Sequence, residues 1–101
     1  MPFGDFVNQI PPIGFLAIHI ALFAIGSFFA WRSFGAGVQM LGAAFSLFAL
    51  AELVYMTYHL DWTTFLFAHT IAEVLDVVAF GLVFVAATRT ILRPNTAAAR
   101  A

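Results

Sequence analysis

A chain of 101 residues that is 63% hydrophobic and 9% charged, with a mean hydropathy of +1.00, lies outside the balance of a water-soluble domain, and so short a chain has too little interior to hide that much apolar surface. The absence of cysteine excludes disulfides, thiolate metal sites and thiol catalysis. A formal charge of −1, with four scattered arginines and no lysine, leaves no basic tract for nucleic acid and no acidic tail for a basic partner.

The opening Met1-Pro2-Phe3-Gly4-Asp5-Phe6 lacks the positively charged start of a secretory signal. No small-residue cleavage site follows an early apolar stretch, so the first helix is expected to be retained. Three apolar stretches then run over about 13–31, 37–57 and 65–87, each near the ~20 residues that cross the hydrocarbon as a helix. A lone strand would leave its peptide groups without partners in lipid. The expectation is therefore an all-α integral membrane protein, a single domain over 1–101, with helices over about 12–32, 37–59 and 63–91.

Pro11-Pro12 suits the start of the first helix, because proline at the first position gives up a donor that has no partner there anyway. Arg32-Ser33 marks its end, and Phe34-Gly35-Ala36-Gly37 reads as a short flexible turn into the second helix. The second connection, His59-Leu60-Asp61-Trp62-Thr63, is also tight, with Asp61 or Thr63 as candidate N-cap of the third helix. Short loops make neighbouring helices antiparallel, giving an up-down-up bundle. After Arg93-Pro94-Asn95, the tail over 94–101 is expected to be flexible and carries no recognisable site.

Arg32, Arg89, Arg93 and Arg100 all fall on one side of this arrangement, which the bias of basic residues assigns to the cytoplasm. The other side holds Asp5 and Asp61, with Tyr55, Tyr58 and Trp62 as aromatic anchors near its interface. The N-terminus is thus expected outside and the C-terminus in the cytoplasm, in the inner membrane of a bacterium or archaeon, cytoplasmic or intracytoplasmic.

Five ionisable residues fall at membrane depth: His19, Glu52, His69, Glu73 and Asp76. Each needs a partner or a purpose, since an Asp or Arg at the centre of a spanning helix costs about 2.5–3.5 kcal/mol or more. His69, Glu73 and Asp76 stand at i, i+4 and i+7, a single stripe on the third helix, and Glu52, Tyr55 and His59 repeat that geometry on the second. With the hairpin turning near Leu60 and Asp61, Glu52 lies level with His69 and His19 falls at a similar depth, so one polar layer could join three helices. Ser46 lies near the depth of Asp76 and could bond to it.

A hydrogen-bonded network that fixes helix register is the plain reading of this cluster. Two histidines with carboxylates could instead hold zinc, iron or manganese, although no Glu-x-x-His or His-Glu-x-x-His pair is present. A string of Asp, Glu and His could also carry protons. Finally, an imidazole could ligate haem or a chlorophyll-type pigment packed among thirteen phenylalanines. The Ala-x-x-x-His pattern of bacterial antenna polypeptides is absent, because Phe15, Tyr55 and Phe65 stand four residues before His19, His59 and His69. The haem-binding anchor subunits of succinate dehydrogenase are similar in size and helix count but carry motifs not found here.

Small-xxx-small pairs, Gly26 with Ala30, Gly42 with Ser46 and Ala68 with Ala72, allow close helix approach. No hydrophilic loop offers room for a soluble catalytic domain. These features point to a non-enzymatic accessory subunit of a larger membrane complex, energy-converting in kind, such as a photosynthetic reaction centre with its antenna or a respiratory complex. Its partners would be the lipid bilayer and larger membrane subunits, with Tyr55, Tyr58, His59 and Trp62 as an interface. The competing expectation is an autonomous membrane protein with a metal, proton or ion site built from the five intramembrane residues.

Overall fold

The computed structural model describes residues 3–92, with side chains to Arg89. A short 3₁₀ turn, Asp5–Gln9, precedes three helices: α1 (Pro12–Gly35), α2 (Gln39–His59) and α3 (Phe65–Leu92). Each helix is long and apolar enough to cross a membrane. Arg93 and Arg100 and the tail expected over 94–101 lie outside the described residues.

Pro12 occupies the first helical position of α1, as its missing donor allows. The helix overruns its expected end at Arg32 by three residues, because the stop signal is Gly37 rather than Arg32-Ser33. Gly37 has φ +82°, and Val38 N–H donates to Ser33 while Gly37 N–H donates to Phe34. This pair of bonds is a Schellman cap, whose left-handed position glycine occupies without a Cβ clash.

The α2–α3 connection repeats the device with a different residue. Trp62 N–H donates to Thr57 and Asp61 N–H to Tyr58, and Asp61 sits at φ 63°, a conformation that Asp tolerates better than most residues. Asp61 therefore closes α2, and the expectation that it caps α3 is corrected. Thr63 is spent otherwise too, its hydroxyl 2.9 Å from that of Thr57. The last α2 residue and the first of α3, His59 and Phe65, are centred on Trp62, so the hairpin turns one to two residues later than Leu60 and Asp61.

Contacts between α1 and α2 pair rising with falling numbers: Phe15 stacks on His59, Phe29 meets Phe45 and the Phe34 ring covers Gly42. Between α2 and α3, Tyr58 meets Phe65 and Tyr55 meets His69. α2 lies in the middle. Among the described residues α1 and α3 bring no Cα atoms within 8 Å of each other, so the three helices form an open row.

The core of this row is made of small side chains. Ala51, Ala68 and Ala72 are 0% exposed, and Ala30, Ala44, Ala49, Ala79 and Ala86 are buried with them, while among the described residues no large side chain is fully enclosed. Phe28, Trp31, Leu66, Val77 and Phe84 face outward. That inverts the pattern of a water-soluble protein, as expected where lipid is as apolar as leucine and helices associate by close backbone packing. Of the anticipated small pairs, Gly26 with Ala30 and Ala68 with Ala72 are buried, whereas Ser46 is exposed although Gly42 is not.

Candidate functional site

Helical periodicity gathers the polar groups on the sides of α2 that face its neighbours. Glu52, the one buried charged residue among those described, points to α1, where His19 Nδ1 lies 2.5 Å from its Oε2. The His19 ring also stacks on Tyr55 at 5.1 Å and on His59 at 5.2 Å. His59 is held in turn by Phe15, at 5.0 Å and nearly parallel.

On the other side of α2, the Tyr55 hydroxyl donates to Glu73 Oε1 at 3.3 Å and lies 3.4 Å from His69 Nδ1. The late turn of the hairpin moves the level partner of His69 from Glu52, where equal depth had placed it, to Tyr55. Tyr55 is thereby the residue common to both seams: its ring packs against α1 and its hydroxyl against α3. Sequence reasoning put it on the Glu52 stripe and near the interface, but treated it as an aromatic anchor rather than as the centre of the layer. The signal was present in its position between Glu52 and His59.

Asp76 is set apart. Its Oδ1 is shielded and has no hydrogen-bond partner. Ser46, the partner anticipated for it, turns back to the Gly42 carbonyl at 2.8 Å, the local bond that serine on a helix makes to the preceding turn. The correction follows from that competition, since an exposed Ser46 satisfies its hydroxyl without crossing to α3. Tyr58 meets the rings of His59 and Phe65 edge-on, and Trp62 is exposed at 73%.

Along the helices the polar groups are one-sided. Titratable residues occur from His59 and His69 inward to Asp76, whereas Gln39–Ala51 of α2 and Val77–Thr88 of α3 hold none. Arg32 and Arg89 stand at the far ends of α1 and α3. A layer of this kind can exchange protons among acid, imidazole and phenol, and can hold three helices in register. Among the described residues no three His, Asp or Glu side chains converge, where a protein-held metal takes about three or four ligands. Comparison with protein-family models, curated proteins and solved structures found no match.

Proposed function

We propose that this chain is a small accessory transmembrane subunit of a larger membrane assembly, non-enzymatic itself and serving to pack and position its neighbours. The observation that carries the reading is the open row. α1 and α3 lean on α2 without meeting, and large apolar side chains cover the flanks. Such a shape leaves helix faces free for lipid and for other spanning helices.

The assembly is of an energy-converting kind, a photosynthetic reaction centre with its antenna or a respiratory complex. The acid, imidazole and phenol layer supports this choice, because such groups are retained in membranes chiefly where protons or charges are handled. In this reading the helices cross up, down and up. Arg32 and Arg89 face the cytoplasm with Arg93 and Arg100, the N-terminus is outside, and the membrane is a bacterial or archaeal inner membrane. The partners are lipid and larger subunits, with no role for nucleic acid.

Solubilising native membranes in mild detergent tests the proposal. The chain should migrate with larger membrane subunits in a fixed ratio, and Glu52→Gln or His69→Ala should lower that ratio. A chain that emerges alone and folded refutes it. One observation favours a second reading, a pigment or haem ligand: His19 Nδ1 is held by Glu52, the kind of carboxylate contact that orients a ligating imidazole. A visible spectrum of the same preparation decides it, since bound haem or chlorophyll absorbs strongly and the apoprotein does not.

A further inference from the structure

On one face of the row, where α1 and α3 diverge over α2, lies a cleft of about 370 Å³ lined by Phe29, Phe45, Phe48, Ala79, Phe80 and Asp76 among others. Its volume falls in the range of small-molecule sites, roughly 300–1,000 Å³. It spans Ile25 to Phe29 on α1, Ala44 to Phe48 on α2 and Asp76 to Val83 on α3, or roughly 6–10 Å of helix length. A transmembrane helix would need a groove of about 30 Å. The hollow is ligand-sized.

Among the described residues its one ionisable wall residue is Asp76, whose Oδ1 is shielded and unpartnered. Every other lining group is apolar. A buried acceptor without a donor is costly, so an occupant supplying a donor gains more here than an apolar one. The surroundings favour a positive donor. Glu52 and Glu73 are close enough to interact electrostatically with Asp76, and no arginine lies nearer along α3 than Arg89, about 20 Å further along the helix. Phenylalanine faces add attraction for a cation.

We propose that this cleft binds a membrane-dissolved amine, held as its ammonium against the Asp76 carboxylate among the phenylalanine rings. Asp76 lies eleven residues into α3, about 16 Å from the start of the helix, too deep for a lipid headgroup amine to reach from the interface. The amine therefore comes from the hydrocarbon, through the open side of the row. No covalent bond changes. The ammonium N–H groups donate to the Asp76 carboxylate, whose terminal torsion turns to bring Oδ1 into the cleft, and where the carboxyl carries a proton, that proton leaves to water as the ammonium replaces it. Glu73 and then Tyr55, which are hydrogen-bonded to each other, lead from Asp76 toward the α2–α3 loop.

The test uses the full chain in phosphatidylcholine nanodiscs, titrated calorimetrically with para-pentylbenzylamine and with its neutral counterpart para-pentylbenzyl alcohol, and corrected for partitioning into protein-free nanodiscs. The amine should bind at least tenfold more tightly than the alcohol, and Asp76→Asn should abolish the difference. Val83→Trp, at the rim, should weaken both ligands. Ammonium and proton compete for one carboxylate, so amine affinity should rise by up to tenfold per pH unit while the amine stays protonated in water, and alcohol affinity should stay flat. The groups that shape this profile are Glu73 on α3 and Glu52 and Tyr55 on α2. α1 gives the cleft only Ile25, Gly26 and Phe29, its His19 being turned to Glu52. Equal binding of amine and alcohol, or amine binding unchanged in Asp76→Asn, overturns the proposal. If Asp76→Asn does not insert, the ligand comparison and the pH profile of the unaltered chain decide it alone.

Discussion

Tyr55 shows how one hydroxyl can tie helices together in a solvent that offers no hydrogen bonds. Its ring lies against His19 on α1 while its hydroxyl reaches Glu73 and His69 on α3, so the residue spans both seams of the row. Tyr55→Phe keeps the ring contact and removes the hydroxyl bonds. Polar contacts between helices in membranes contribute about 0.6 kcal/mol on average and up to about 1.7. Unfolding in mixed micelles should therefore show Tyr55→Phe less stable by about 0.5–1.5 kcal/mol. In a double-mutant cycle with His69→Ala, the two losses should fall short of additivity, since they share one contact. Strict additivity would mean that the 3.4 Å approach carries no energy.

At the scale of the helix, small residues decide where two backbones can meet. A Cβ placed on Gly26 would come within 2.8 Å of the Phe48 ring and 3.5 Å of Ala49, so Gly26→Ala must push α1 from α2 or displace Phe48 from the cleft. Overpacking of this kind costs about 1–3 kcal/mol. Gly81, on α3, has nothing within 4 Å of the same construction. There the substitution meets no obstacle and removes the conformational cost of glycine within a helix, about 0.5–1 kcal/mol. Gly26→Ala should lower and Gly81→Ala should raise the stability of the purified chain, read by the detergent or denaturant needed to lose helical circular dichroism. A loss at both positions would show that Gly81 meets another helix in the sample measured.

At the scale of the molecule, the arrangement is an alanine-cored row with its polar groups gathered toward the α2–α3 loop. That asymmetry gives the proposed orientation a direct measurement, helped by the absence of native cysteine. Trp62 is exposed in the α2–α3 loop and Ala36 is exposed between α1 and α2. Single Trp62→Cys and Ala36→Cys chains should differ in labelling by a membrane-impermeant maleimide. In intact cells only Trp62→Cys should react, with Ala36→Cys reacting after permeabilisation. The reverse pattern would invert the assignment made from the arginines.

The apolar stretches by themselves determined three membrane-length helices, because hydrocarbon admits few other backbone arrangements and sets their length. They also determined which residues are polar at depth, and Pro12 marked its helix start by the chemistry of a missing donor. Which polar groups meet was decided only by tertiary structure. Asp61 in a left-handed cap moved the hairpin centre to Trp62, and on a helix a shift of three residues exchanges Glu52 for Tyr55 as the neighbour of His69. Ser46 and Asp76 could be matched by depth, yet depth does not say that serine will bond its own preceding turn and leave the carboxyl alone. The open row was equally hidden, since the small-residue pairs show that helices approach closely but not which helix each one meets. Span and composition are one-dimensional properties of the chain, whereas register and facing depend on where each helix is capped and what it packs against.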